Sequence, residues 1–448
     1  MRTTSLCLSA LLSLPLWAQG GRVSERIQAL RSAGARFEAV SVLETVAIPR
    51  AQQARWEQDL SNAVVVRPGA GVTRAVQERS PAYLSFAVPA PDASLMLDLE
   101  RVSIGTDDLQ VRTSSGAHQG TPQGVHYRGM VRGVPGSWAA ISIFDGEVMG
   151  LVHDGLDEVV IGRFNDAADD LHVVYREADL RRQAPFTCDS RDSGEPFRAD
   201  QLEINGGDRT VRCVRYYWEV NYNVFQDKGT VSNTTSYVTG LFNQSATLFD
   251  NDGIDVLLSE VFIWDTPSPY TGPGSGDFLD QFGVTRTSFN GDMAHLVGYG
   301  GGGGVAWLNT LCNGQTRYRM AYSGINSTYS NVPTYSWSTM VVTHEAGHNL
   351  GSPHTHACAW NGNGTNIDGC GPTANSAYSE GACPIGPIPS SAVGGTIMSY
   401  CHLLSAGINL NNGFGPQPTA VIVNAVNNAS CLVACGSTCN APGTLFAS

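Results

Sequence analysis

His344-Glu345-Ala346-Gly347-His348-Asn349-Leu350-Gly351-Ser352-Pro353-His354 decides how this chain is read. Two histidines four apart on a helix project from one face, one turn apart, so both imidazoles reach a common point. Gly351 takes backbone angles closed to other residues, which lets the helix stop sharply and brings His354 round as a third ligand. Three protein ligands leave a fourth position open, the donor set of a catalytic rather than a closed structural zinc. Glu345, beside the first histidine, stands where a carboxylate takes a proton from attacking water. With 10 histidines in 448 residues, the bare four-residue spacing arises by chance in roughly one such chain in a hundred. Adding the Gly and the third His lowers that to about one in ten thousand.

Outward from this stretch, composition sets the frame. Hydrophobic residues make up 42% of the chain and charged residues 15%, so a core can be buried. The length suits two or three domains. A net charge of −13 and a pI near 5.2 argue against nucleic acid or an anionic membrane as partner. The first residues read as a signal peptide over 1–18: Arg2 is the positive end, residues 6–16 are a short apolar run, and Ala18 is a small residue at the cleavage point. That run is too short to span a bilayer, so the chain is expected to be secreted and monomeric, with no membrane span.

Of 11 cysteines, Cys7 would leave with the signal. The ten that remain suit disulfides formed outside the cytosol, and no paired C-x-x-C zinc signature is present. None falls between residues 19 and 187. That stretch reads as β-rich in its middle, with strands expected over 95–104, 125–131 and 138–143, and it closes in a polar linker over 181–200 that offers Arg181-Arg182 to proteases. From residue 210 the pattern changes. Strands over 211–220 and 255–264 flank a helix over 234–249, which predicts an α/β layer with a mostly parallel, twisted sheet. A further strand is expected over 305–311, the active-site helix over 338–350, and disulfide-pinned loop over 358–418. The divisions are therefore 19–200, 210–430, and a Cys-containing tail over 431–448.

The zinc stretch, with Met398 in Gly395-Thr396-Ile397-Met398-Ser399-Tyr400, has the metzincin form of three histidines followed by a Met-turn. Within the metzincins the chain resembles the reprolysin (adamalysin and ADAM-like) metalloproteases. The likeness runs through Asp255-Val256-Leu257-Leu258-Ser259-Glu260, Gly291-Asp292-Met293-Ala294-His295-Leu296 and Gly304-Val305-Ala306-Trp307-Leu308-Asn309-Thr310-Leu311-Cys312. In the first half, His126-Tyr127-Arg128-Gly129-Met130-Val131-Arg132-Gly133-Val134-Pro135-Gly136-Ser137 is similar to the reprolysin propeptide.

This resemblance implies an endopeptidase made as a zymogen: one zinc on His344, His348 and His354, Glu345 as general base, and Met398 as an apolar floor. It implies a propeptide over 19–200, and an edge strand at 305–311 pairing with an extended protein or peptide substrate. It implies a bond from Cys312 to Cys431 or Cys435, and it raises calcium, with Glu219 the candidate ligand. Two departures stand out. Thr355 and His356 follow His354 where Asp is usual, and His356 is expected as a plain loop histidine. Cys188 is the one candidate for a thiolate switch before the catalytic domain; the even cysteine count favours instead a disulfide, for instance to Cys213. The competing readings are a pappalysin-like protease, which shares a His-Thr pair like His354-Thr355, and a catalytically silent secreted binding module. A serine hydrolase lacks its G-x-S-x-G elbow.

Overall fold

The computed structural model describes residues 21–434 apart from 118, 166–169, 182–186, 191–194, 208, 326–327 and 330–331. The expected signal peptide, Arg182, Cys435 and Cys439 lie outside the described residues.

The first half builds a ten-stranded sheet, antiparallel except where Glu38–Val40 runs parallel to Tyr83–Pro89. Its central strands, Val125–Val131, Trp138–Phe144, Glu147–His153 and Glu158–Arg163, alternate between two cores. Ala139, Ile141 and Ile143 face one, within the first half itself. Trp138, Met149, Leu151 and Val160 face the other, which continues into the second half. Strand side chains point alternately to opposite faces, so both faces of these strands are dry and their sequence reads as continuous apolar runs.

The second sheet has eight strands, named here in chain order: β1 (Gly105–Thr113), β2 (Gln119–Gly120), β3 (Thr187–Cys188), β4 (Val214–Val220), β5 (Val256–Ile263), β6 (Met293–Gly298), β7 (Gly303–Ala306) and β8 (Met320–Gly324). Their spatial order is β3-β7-β8-β6-β4-β5-β1-β2. The run β8-β6-β4-β5 is parallel, and β7 is antiparallel to β8. Both edges are closed by strands from the first half: β1 runs parallel to β5, and β3 runs parallel to β7.

Between the two sheets lies helix α1 (Val231–Asn251), buried from Thr234 to Asp250. So many hydroxyl residues in a buried helix need internal partners. Thr234, Thr235, Thr239 and Thr247 supply them by donating back to carbonyls four residues earlier. Helix α2 (Ser275–Thr285) packs Phe278 on Tyr322 of β8, their rings stacked at 4.5 Å. Helix α3 (Tyr335–Asn349) carries the first two histidines, and α4 (Pro416–Asn428) closes the chain.

One expected strand is shorter than read. β7 ends at Ala306 rather than running to 311, because Asn309 (φ 54°) and Cys312 (φ 65°) turn the backbone away. The turn is held against the active-site helix, where the Asn309 and Thr310 amides donate to His348 and Asn349 at 2.9 and 3.0 Å. Disulfides Cys312–Cys431, Cys358–Cys383 and Cys370–Cys401 pin the loops around it. Cys213 is also disulfide-bonded. Among the described residues no helix is long and apolar enough to cross a membrane.

Candidate metal centre

The helix α3 positions His344 and His348 side by side, and the chain reverses at Gly351, whose φ of +111° only glycine adopts without strain. The reversal is closed by the Gly351 and Ser352 amides donating to His348 and Gly347. His354 then returns to the same point. The three Nε2 atoms form a triangle of 3.1, 3.2 and 3.2 Å. Nitrogens ~2.0–2.1 Å from one tetrahedral zinc stand about 3.3 Å apart, so the triangle fits that ion.

All three rings are buried, and burial pushes their pKa values down, that of His354 to about 3. They are therefore neutral, the form that ligates metal. Each Nδ1 has a partner at 2.7 Å: the carbonyl of Ile397 for His344, that of Ser352 for His348, and Glu380 Oε1 for His354. Such partners fix the tautomer, leaving Nε2 with its lone pair towards the centre of the triangle.

Met398 is fully buried below the helix, and Gly347 makes room for it, since a Cβ there would stand 2.8 Å from the Met398 sulfur. Glu345 is also fully buried, and burial raises its pKa well above the carboxylate range. Its Oε1 lies against Gly304 of β7, where any side chain would collide with it.

Cys188 corrects the disulfide expectation. It is a free, buried cysteine with its sulfur 3.5 Å from both His348 Nε2 and Glu345 Oε2. A thiolate and an imidazole on one tetrahedral zinc stand about 3.6 Å apart, so Cys188 fits the fourth ligand position. The four residues group within 4.8 Å of one another. Burial, then the Glu345 carboxylate, push the thiol up; a cation at the triangle would reverse that preference. The strand holds the sulfur in place: the Tyr400 hydroxyl accepts from the Cys188 amide and donates to its carbonyl, at 3.0 and 2.8 Å. Ser190 Oγ accepts from the Ala306 amide and donates to its carbonyl, at 2.8 and 2.9 Å. Thus β3 covers the edge of β7 that the sequence reading reserved for substrate.

Two further expectations change. His356 does lie in a loop, but it is not a bystander there: it is 1% exposed and stacks on His354 at 4.9 Å. Glu219 is not available to calcium. Its two oxygens accept from Trp264 Nε1, Tyr270, Tyr217 and the Arg286 guanidinium.

Sequence reasoning missed Glu380. One signal was available, because Asp368 and Glu380 are the only carboxylates between Cys358 and Pro418. Both serve the third histidine. Glu380 takes His354, while Asp368 accepts from the Thr355 hydroxyl and the Cys370 amide. The carboxylate behind the third histidine thus comes from 26 residues further along the chain.

A model of metallopeptidase family M12, of reprolysin type, matches residues 212–409, from just before β4 to beyond Met398. This stretch is similar to a reprolysin-type metallopeptidase domain. The human disintegrin and metalloproteinase domain-containing protein 9 is 26% identical over 252 residues, 51% of this chain and 30% of that protein. The chain therefore spans under a third of that relative's length. Among solved structures, metalloproteinase-II from Bacteroides fragilis matches at a TM-score of 0.37 and 10% identity, over 66% of this chain and 90% of that one.

Proposed function

We propose that this chain is the latent precursor of a secreted zinc-dependent endopeptidase, its zinc held by His344, His348 and His354. The observation that carries the reading is the triangle of three Nε2 atoms, each oriented from behind and matched in size to one ion. The reprolysin match favours this family over the pappalysin-like alternative, and the retention of all three ligands with Glu345 disfavours a silent binding module.

Zinc at the triangle would act as a Lewis acid on the scissile carbonyl and make water more acidic. The remaining work belongs to this chain. Once β3 has left, the edge of β7 would offer backbone groups to an extended peptide, and Gly304 lets that strand lie close to Glu345. Glu345 takes the proton of the attacking water and delivers it to the departing amine. Met398 supports the helix beneath the ligands.

In the precursor, Cys188 takes the water's place and β3 takes the peptide's, so residues 19–200 act as an inhibitory propeptide. Cleavage in the exposed segment after Cys188 would release the site. The disulfides support an extracellular setting.

The test is metal-dependent cleavage of a quenched peptide library by the processed enzyme. A chelator is expected to abolish cleavage and zinc to restore it, while Glu345→Gln keeps one zinc and loses cleavage by at least about a thousandfold. Substantial cleavage by Glu345→Gln would sink the mechanism.

A further inference from the structure

The two places where the first half enters the second sheet differ in kind. At β7 the contact is a two-residue strand, Thr187–Cys188. At β5 it is the nine-residue strand β1, on the far edge of the sheet. Six strand spacings separate β3 from β1, roughly 30 Å at the usual interval, so neither contact depends on the other's chemistry.

The β5 contact is a strand addition with one interruption. Four consecutive pairs are in register, Glu260 with Gln110, Val261 with Val111, Phe262 with Arg112 and Ile263 with Thr113, and a fifth, Leu258 with Gly105, lies beyond a register shift. The ladder is closed at both ends: the Leu258 amide donates to Ile104 at 2.8 Å and the Ser114 amide to Ile263 at 3.0 Å. Side chains add specificity. Arg112 lies 3.3 Å from buried Glu260, Arg215 pairs with Asp108 at 3.0 Å, and Asp265 accepts from the Ser114 hydroxyl and the Ser115 amide at 2.8 Å each. Val111 is fully buried in the core shared with β4 and β5.

A second contact on the same side continues this one. Asp250 of α1 is clamped by Arg26 and Arg128, both from the first half, at 2.9 and 3.1 Å. Burial alone would push Asp250 up, but those guanidinium groups hold it well below the carboxylate range. Asn243, two turns earlier, accepts from Arg128 Nε and donates to the Tyr127 carbonyl.

We propose that the β5 edge is a strand-docking site of the catalytic domain. Its occupant, the β1 strand, retains the N-terminal domain after the chain has been cut and Cys188 has left the histidines. The ligand this edge takes is an extended segment running parallel to β5, with a cation facing Glu260 and hydroxyls reaching Asp265. The proposal rests on the reading of residues 19–200 as a propeptide. It adds that severing the latch does not free the domain: the cut enzyme carries a partner that leaves only when the β1 strand is itself cleaved or displaced.

The experiment uses the full chain, with a sequence-specific protease site replacing exposed residues 203–207 so that Cys188 stays on the N-terminal piece. Both nicked wild type and nicked Cys188→Ser are expected to co-elute as one species on size exclusion. In both, the Leu258 amide should stay protected from hydrogen exchange by at least a hundredfold over an unstructured amide. Arg112→Pro, whose amide lies on the same side of the strand as the Ser114 amide that donates to Ile263, should release the pieces after nicking. Arg112→Glu, which faces Glu260 and leaves the backbone intact, should speed their dissociation tenfold even if the proline variant does not fold. Separation of nicked Cys188→Ser, or rapid exchange at Leu258, would overturn the proposal. Failure of the protease reading registers elsewhere, as peptide cleavage that survives Glu345→Gln, and leaves co-elution unchanged.

Discussion

The two edges of the second sheet are closed by the same half of the chain, with opposite designs. The β3 edge holds through one sulfur 3.5 Å from His348, a tyrosine hydroxyl and a serine hydroxyl. The β1 edge holds through five backbone pairs along a nine-residue strand and a buried ion cluster on Asp250. A short contact aimed at a metal is simple to undo, because one cut or one oxidation removes its decisive ligand. A long contact without a metal persists through that event. On the proposed reading, latency and attachment are separate properties of one domain.

Perturbing each edge in turn sharpens the contrast. The largest effect is expected at the anchor: Arg128→Ala leaves the Asp250 charge buried with one clamp fewer, at a cost of about 3–5 kcal/mol, read as a lower denaturant midpoint of the full chain. Cys188→Ser acts on the other edge. It should leave that midpoint nearly unchanged while raising peptide cleavage by the uncut chain roughly a hundredfold, the gain expected when one of two linked contacts is lost.

Glu380→Ala tests the floor of the latch. Removing the carboxylate behind His354 should weaken zinc about 10- to 100-fold in chelator competition, and Glu380→Gln, which can still accept from Nδ1, should recover part of it. An unchanged zinc affinity would show that His354 needs no carboxylate.

The smallest effect concerns the seam between the halves. Glu177 faces the start of α3 in a cavity shared with Asp157, Glu158 and His402. Burial, then Glu158, raise its pKa from 4.5 to about 8. The folded chain then binds more protons than the unfolded chain between those values, so stability falls as pH rises from about 4.5 to about 8. Glu177→Gln should flatten that slope by up to one proton, measured as denaturant midpoints across the range.

How much of this was readable beforehand follows from the range of each interaction. The ligand helix was legible because i, i+4 spacing is local and Gly351 marks its end. The strands expected over 125–131 and 138–143 were legible because burial on both faces leaves unbroken apolar runs. β1 was not, since Gly-Thr-Asp-Asp-Leu-Gln-Val-Arg-Thr carries its charges outward to partners about 150 residues away in sequence, such as Glu260. Glu380 escaped because it lies 26 residues beyond His354, and the Cys358–Cys383 bridge and the Cys358 amide donating to the Glu380 carbonyl bring it back. The count of cysteines misled over Cys188. Even parity predicts pairing only when no thiol is reserved for a metal.

The most direct test of the central claim is zinc-edge X-ray absorption on the uncut chain. The account predicts one zinc with three nitrogen ligands near 2.0–2.1 Å and one sulfur near 2.3 Å, the sulfur shell being replaced by oxygen in Cys188→Ser. Absence of bound zinc, or a first shell without sulfur in the uncut wild type, would contradict it.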